Sequence, residues 1–158
     1  MKRNKPLKRT RLKVVGDNST AVLKARIQAL VRLICAYRDG GCVLRNLRHC
    51  GGEAVVDKRE IISDNVIQAD HLITRANSAT FADTRLIVCL CKNCHAWKHW
   101  HEKEYEKLVR TTLSSERKRL WNRCEEDRQA HRTWKPDWNL AITLLERELA
   151  QYEKTQTL

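Results

Sequence analysis

Between Ala69 and His101 the chain reads ADHLITRANSATFADTRLIVCLCKNCHAWKHWH. An adjacent Asp70-His71 pair, the thiols of Cys91-x-x-Cys94 and the imidazoles of His95, His99 and His101 fall within this one stretch. A packed apolar core has no use for so many ligands and bases, so the expectation is a metal-dependent site. Histidine titrates near neutrality and takes a proton from water without help, while a carboxylate and one or two imidazoles suit a divalent cation. The alternative is that His95 and His99 are ordinary surface histidines. The convergence of Asp70-His71 and the CxxC on the same segment weighs against it.

The elements that must position these groups are legible from periodicity. VIQADHLI, rich in β-branched residues and partly alternating, predicts a strand ending near Asp70-His71, and Leu86 to Leu90 predicts a second short strand. His95 to about Arg110 has the length and the Glu/Lys content of a helix. On it His95 and His99 are four residues apart and share a face, so both could grip one ion. His101 points roughly 160° away from His99 and is expected to face solvent or phosphate. Trp97 and Trp100 are expected to pack the opposite stripe against the rest of the fold.

These residues resemble the HNH, or ββα-metal, endonucleases. That pattern runs Asp/Glu/His-His at a strand end, a long loop, Asn-Leu opening a second strand, and Cys-x-x-Cys-His entering a helix. Here the matching positions are Asp70-His71, then Leu86, then Cys91-Lys92-Asn93-Cys94-His95. The basic leader KRNKPLKRTRLK, the helix before the first cysteine, the RANSAT…DTR loop and the terminal LERELAQYEK are similar, more loosely, to the phage NinG-type recombination proteins.

The resemblance implies that His71 is the general base, with Asp70 and His95 as metal ligands and His99 as a third. A phosphodiester hydrolase needs both a base near neutrality and a cation on the scissile phosphate. One carboxylate and two nitrogens accept Mg²⁺, Mn²⁺, Ni²⁺ or Zn²⁺ alike. One position departs from the pattern: Leu86 stands where the family has the Asn that helps to fix the catalytic histidine. Asn77, Asp83, Asn93 or a backbone carbonyl is then expected to orient His71.

The cysteines make a second metal argument. Seven occur, at 35, 42, 50, 89, 91, 94 and 124. Cys91-x-x-Cys94 is half of a zinc knuckle, and the other half is sought in GGCVLRNLRHCGG, where Cys42 and Cys50 lie between glycine pairs that permit a tight turn. His49 is the alternative to Cys50. Four thiolates around Zn²⁺ would form a closed structural site contributing on the order of 10 kcal/mol to folding. Free thiols or disulfides are the bland alternative. The odd count, the clustering and the lack of a signal-peptide pattern argue for a reducing cytoplasm, that of a bacterial host if the phage resemblance holds. Cys35 and Cys124 are expected in the core, and Cys89 in strand packing.

A chain of 158 residues holds one domain with an appended helical part. Its net charge of +12 and pI near 9.7 point to a polyanion, and with no apolar run near a membrane span, DNA, duplex or branched, comes first. At 42% hydrophobic residues, wholesale disorder is excluded.

Residues 1–17 are expected to form a mobile basic arm. Its Lys2, Arg3, Lys5, Lys8, Arg9, Arg11 and Lys13, together with Arg75, are expected to touch DNA, although such an arm can also serve only as a solubilising tail.

A helix from Asn18 or Ser19 to about Arg38 carries the apolar stripe Leu23, Ile27, Leu30, Val31 and Ile34, and Gly40-Gly41 stops it. Residues 18–112 are read as the nuclease core and 113–158 as a helical extension. Within the extension, Leu113 to about His131 is expected to show a solvated charged face. Trp138 to about Lys154 spaces Trp138, Ile142, Leu145, Leu149 and Tyr152 for packing on the first helix or on a second chain in a homodimer.

The expected fold is therefore α+β, a small ββα-metal core with a Cys-ligated zinc, flanked by N- and C-terminal helices. The expected activity is metal-dependent DNA cleavage in phage or prophage DNA processing. A zinc-stabilised DNA-binding recombination accessory that does not cut is the other reading. An RNA-binding zinc ribbon fits less well, because no aromatic stacking platform is evident.

Overall fold

A computed structural model describes residues 19–51, 67–74, 78–127 and 136–155. The first helix, α1 (Thr20–Asp39), begins where the Ser19 side chain accepts a hydrogen bond from the Val22 amide at 3.3 Å. It ends at Gly40, whose φ of 62° is left-handed and whose N–H donates to the Ala36 carbonyl. Leu23, Ile27, Val31 and Ile34 are buried, as the stripe predicts, and Leu30 is half-buried.

Two strands follow, β1 (Ile67–His71) and β2 (Ile87–Cys91), paired antiparallel with Ile67 opposite Cys91 and His71 opposite Ile87. A single 3-10 turn at Thr84–Leu86 leads into β2. Every residue of β2 is buried, which explains its unbroken apolar run: both faces of the hairpin are covered. On one face Ile67, Ala69, Ile87 and Cys89 meet α1 and the last helix, α5 (Trp138–Thr155). On the other, Val88 and Leu90 meet Tyr105, Val109, Leu113 and Trp121.

Those four residues come from α3 (Glu102–Thr112), α4 (Ser115–Glu126) and the turn between them. The C-terminal seam thus packs on the first helix, with Ile142 and Leu145 buried against it. Pro136 stands just outside that helix, and the Asp137 carboxylate caps it by accepting from Asn139 and Leu140 N–H, each at 3.0 Å.

The single helix expected from His95 to Arg110 is instead two. α2 (Lys92–Lys98) starts earlier, because the Cys91 sulfur accepts from the Cys94 amide and acts as N-cap. It closes with tightened i to i−3 bonds, His99 to Ala96, Trp100 to Trp97 and His101 to Lys98, and α3 restarts with Glu102 and Glu104 in its first turn, where acids complement the helix dipole. Trp97 packs on the second cluster as expected. Trp100, carried on the turn between the helices, is 87% exposed and belongs to neither core cluster of the described residues.

The edge of β2 that faces away from β1 is satisfied by side chains and by one loop amide, from Val43 to the Cys89 carbonyl at 2.9 Å. The Asp39 carboxylate accepts from the Cys89 amide at 3.0 Å and pairs with Arg38. Arg38 and Arg117 both donate to the Ile87 carbonyl, at 2.7 and 2.8 Å, and Arg117 reaches the Arg85 carbonyl as well.

Arg117 therefore leaves the solvated face expected for its helix and acts as a partly buried clamp. Its charge is the natural partner of Asp39, and an unpaired strand edge would otherwise be exposed to other chains. Asp39→Ala should cost about 3 to 5 kcal/mol, because it strands two partly buried guanidinium groups and one amide. The midpoint of urea unfolding should fall with an unchanged slope; a midpoint within error of the parent's contradicts the clamp.

Candidate metal centre and catalytic site

Four sulfurs converge at the junction of β2 and α2. The ligand atoms of Cys42, Cys50, Cys91 and Cys94 all lie within 4.8 Å of one another, the one compact grouping of three or more Cys, His, Asp or Glu among the described residues. Cys50 and Cys91 are 3.7 Å apart, close to the edge of about 3.8 Å that a tetrahedron with metal–sulfur bonds of about 2.3 Å requires. The set could hold a metal ion and is compatible with a structural zinc.

Cys50, not His49, is the fourth member: the His49 ring stacks on Trp97 with centroids 4.5 Å apart. Burial alone would raise the Cys91 thiol, but the amides of Cys94 and Gly51 donate to its sulfur and bring it down to about 7. Burial pushes Cys42 up to about 12. One sulfur is thus ready as thiolate, and a metal would have to displace protons from others.

The remaining cysteines are packing residues. Cys35 and Cys89 are fully buried in the first cluster, and burial drives the Cys35 thiol up to about 12. Cys124 is only half-buried, at the margin of the second cluster.

Asp70 and His71 are consecutive in a strand and so turn to opposite faces. Asp70 turns toward the second cluster, where its Oδ2 accepts a hydrogen bond from the Tyr105 hydroxyl and its Oδ1 pairs with the Lys98 ammonium. Burial and the neighbouring carboxylate push the Tyr105 phenol well up, so it stays protonated and donates. The His95 Nε2 lies 3.6 Å from the same Oδ1, and the His99 ring stands 5.2 Å from that of His95, nearly perpendicular to it. Asp70 and His95 thus share one focus. His99 sits beside it without closing a compact trio.

His71, at the end of β1, stacks near Phe81 and places Nε2 3.1 Å from the Phe81 carbonyl. A carbonyl only accepts, so Nε2 donates to it, while Nδ1 is buried. A backbone carbonyl therefore does the orienting. Leu86, at 1% exposure, is a core residue whose own carbonyl accepts from the Leu72 amide. Asp83, one of the expected substitutes, caps the 3-10 turn instead.

A cavity of about 290 Å³ is lined by His71 together with Lys98 and Tyr105, two of the partners of Asp70. A larger one, about 510 Å³ and mostly apolar, lies between the 3-10 turn and α5 and holds none of these groups. His101 is exposed, as expected, and its Nδ1 donates to the Trp97 carbonyl at 3.1 Å. Lys98 and Tyr105 were not among the expected site residues. Lys98 is three residues after His95 and one before His99, on the ligand face of α2, which is the signal that could have found it. Asn77, Arg75 and the arm residues Lys2, Arg3, Lys5, Lys8, Arg9, Arg11 and Lys13 lie outside the described residues.

No family model, curated protein or solved structure matches the chain. Among the described residues no helix is long and apolar enough to cross a membrane.

The sulfur cluster makes a direct prediction. Purified chain should hold about one equivalent of metal through mild EDTA treatment, and Cys91→Ser or Cys94→Ser should lose it and unfold or aggregate. Cys35→Ala and Cys124→Ala should keep it. A metal-free chain with the parent's melting curve contradicts a structural metal.

Proposed function

We propose that this chain is a metal-dependent endonuclease of the HNH type that hydrolyses DNA phosphodiester bonds, with a zinc ion on Cys42, Cys50, Cys91 and Cys94 as its structural brace. The observation that carries the reading is the grouping at the end of the hairpin. His71 Nε2 is held by the Phe81 carbonyl at 3.1 Å, and the preceding residue is the buried Asp70, whose Oδ1 faces His95 Nε2 at 3.6 Å. The order antiparallel hairpin, sulfur pair, helix is what a ββα-metal core would need.

In this reading His71 is the general base that takes a proton from the attacking water, and the Phe81 carbonyl stabilises the imidazolium that results. Asp70 and His95, with His99 as the third donor, would hold a divalent ion such as Mg²⁺, Mn²⁺, Ni²⁺ or Zn²⁺. Such an ion, when bound, supplies charge neutralisation at the scissile phosphate and the leaving oxygen. Tyr105 keeps Asp70 aimed by holding its other oxygen. The net charge of +12 gives the electrostatic term that draws the chain to DNA, and the basic residues 2–13 and Arg75 are the proposed phosphate contacts. A phage or prophage role in recombination, in a bacterial cytoplasm, follows from the NinG-type resemblance.

A second reading, a zinc-braced DNA-binding accessory that does not cut, is favoured by one observation: the Lys98 ammonium already neutralises Asp70.

The two readings separate at His71. His71→Ala should abolish divalent-dependent cleavage while leaving DNA affinity within about twofold, because phosphate contacts supply the binding and the imidazole acts only on water. Cleavage at the parent's rate removes His71 as the base. A parent chain that binds DNA but does not cut it with any added divalent ion supports the accessory role.

A further inference from the structure

The carboxylate best placed to bind a divalent ion is already in an ion pair. Lys98 Nζ contacts Asp70 Oδ1, the same oxygen that faces His95 Nε2 at 3.6 Å. It does so in a protected setting: the Asp70 side chain is 4% exposed and that of Lys98 21%. The ammonium also lies 5.1 Å from the centre of the Tyr105 ring, on the very side chain that donates to the other Asp70 oxygen. Lys98 and His95 are three apart on α2, and Glu102, Glu106 and Glu125 line the cavity into which Lys98 opens.

We propose that Lys98 is an internal competitor for the divalent ion: it neutralises Asp70 while the site is empty of metal, and it must leave the carboxylate before Asp70 and His95 can share an ion. Physical chemistry requires the exchange. A buried carboxylate needs a counter-charge, and one oxygen cannot keep an ammonium in contact while a dication binds it, since the two cations repel at close range in a weakly screened site. On leaving, the ammonium can turn into the cavity, whose wall carries Glu102 together with Glu106 and Glu125, the last two already paired with Arg110. The arrangement keeps the carboxylate folded and aimed in the metal-free chain and sets the ion concentration at which the site loads. Lys98 is a positioning residue for the ligand set rather than a group that touches substrate. The inference rests on the nuclease reading only in taking Asp70 and His95 as ligands.

The test is calorimetric titration of Mn²⁺ into chain whose sulfur site is already filled with zinc, without DNA. Lys98→Gln should tighten Mn²⁺ by roughly ten- to a hundredfold, the scale on which groups that contact metal ligands set affinity. Lys98→Arg, which keeps the charge, should stay near the parent, and His95→Ala should weaken binding in either background. Lysine footprinting of the unmodified chain avoids any folding defect in Lys98→Gln. Acylation at Lys98, read by mass spectrometry, should rise several-fold when Mn²⁺ is added, with other lysines unchanged. Equal Mn²⁺ affinity in parent and Lys98→Gln, or Lys98 labelling indifferent to Mn²⁺, overturns the competition while leaving the ligand assignment standing. Absence of Mn²⁺ binding at this site in parent and Lys98→Gln alike overturns the ligand assignment and the inference together.

Discussion

Everything in the candidate site hangs on the convergence of four sulfurs. Cys91 is at once the last residue of β2, the N-cap of α2 and a member of the cluster, so whatever fixes its sulfur fixes the angle between strand and helix. Cys42 and Cys50, on the loop that follows α1, tie that junction to the end of the first helix across some forty residues of sequence. An ion there would remove loop-closure entropy that a chain of this size must otherwise offset with apolar burial. His95 and Lys98 ride on the short helix so anchored. Their approach to Asp70 is therefore a consequence of sulfur geometry.

The second constraint is the small sheet, too narrow to be stable alone. Two strands expose backbone on both edges and need cover on both faces. α1 and α5 cover one face and α3 with α4 the other, so the C-terminal helices are structural partners of the hairpin. The outer edge of β2 is answered by Asp39, Arg38 and Arg117, which couple the C-terminal end of α1 to α4 through the Ile87 and Cys89 backbone. That coupling keeps the β2 backbone rigid opposite Asp70 and His71, which pair with Val88 and Ile87. In the proposed nuclease reading, a base and a ligand held on such a pair of strands would act with little reorganisation.

Much of this was legible in the residues because periodicity and capping are local. The α1 stripe, its Ser19 and Gly40 caps, both strands and the α5 seam follow from spacing alone. Cys42 and Cys50 were found by chemistry, as the second half of the knuckle begun by Cys91 and Cys94, although spacing alone left His49 as the alternative to Cys50. What escaped was decided by tertiary contact. The break after Lys98 depends on how α2 ends over the cluster. Arg117 reads as one more surface charge until the strand edge it serves is in place. Leu86 reads as a defect in the pattern until the Phe81 carbonyl is seen to hold His71, a role that no side-chain pattern records. Lys98 and Tyr105 reach Asp70 from helices whose positions the sequence does not state.

The proposal that the hairpin end is a hydrolytic centre, and not merely a folded remnant of one, is tested most directly by incubating the zinc-filled chain with supercoiled plasmid in Mg²⁺, Mn²⁺, Ni²⁺ or EDTA. The account predicts nicked or linear product that requires an added divalent ion and stops on chelation, while the sulfur-bound metal remains in place. Plasmid that is bound but stays supercoiled with every ion would contradict it.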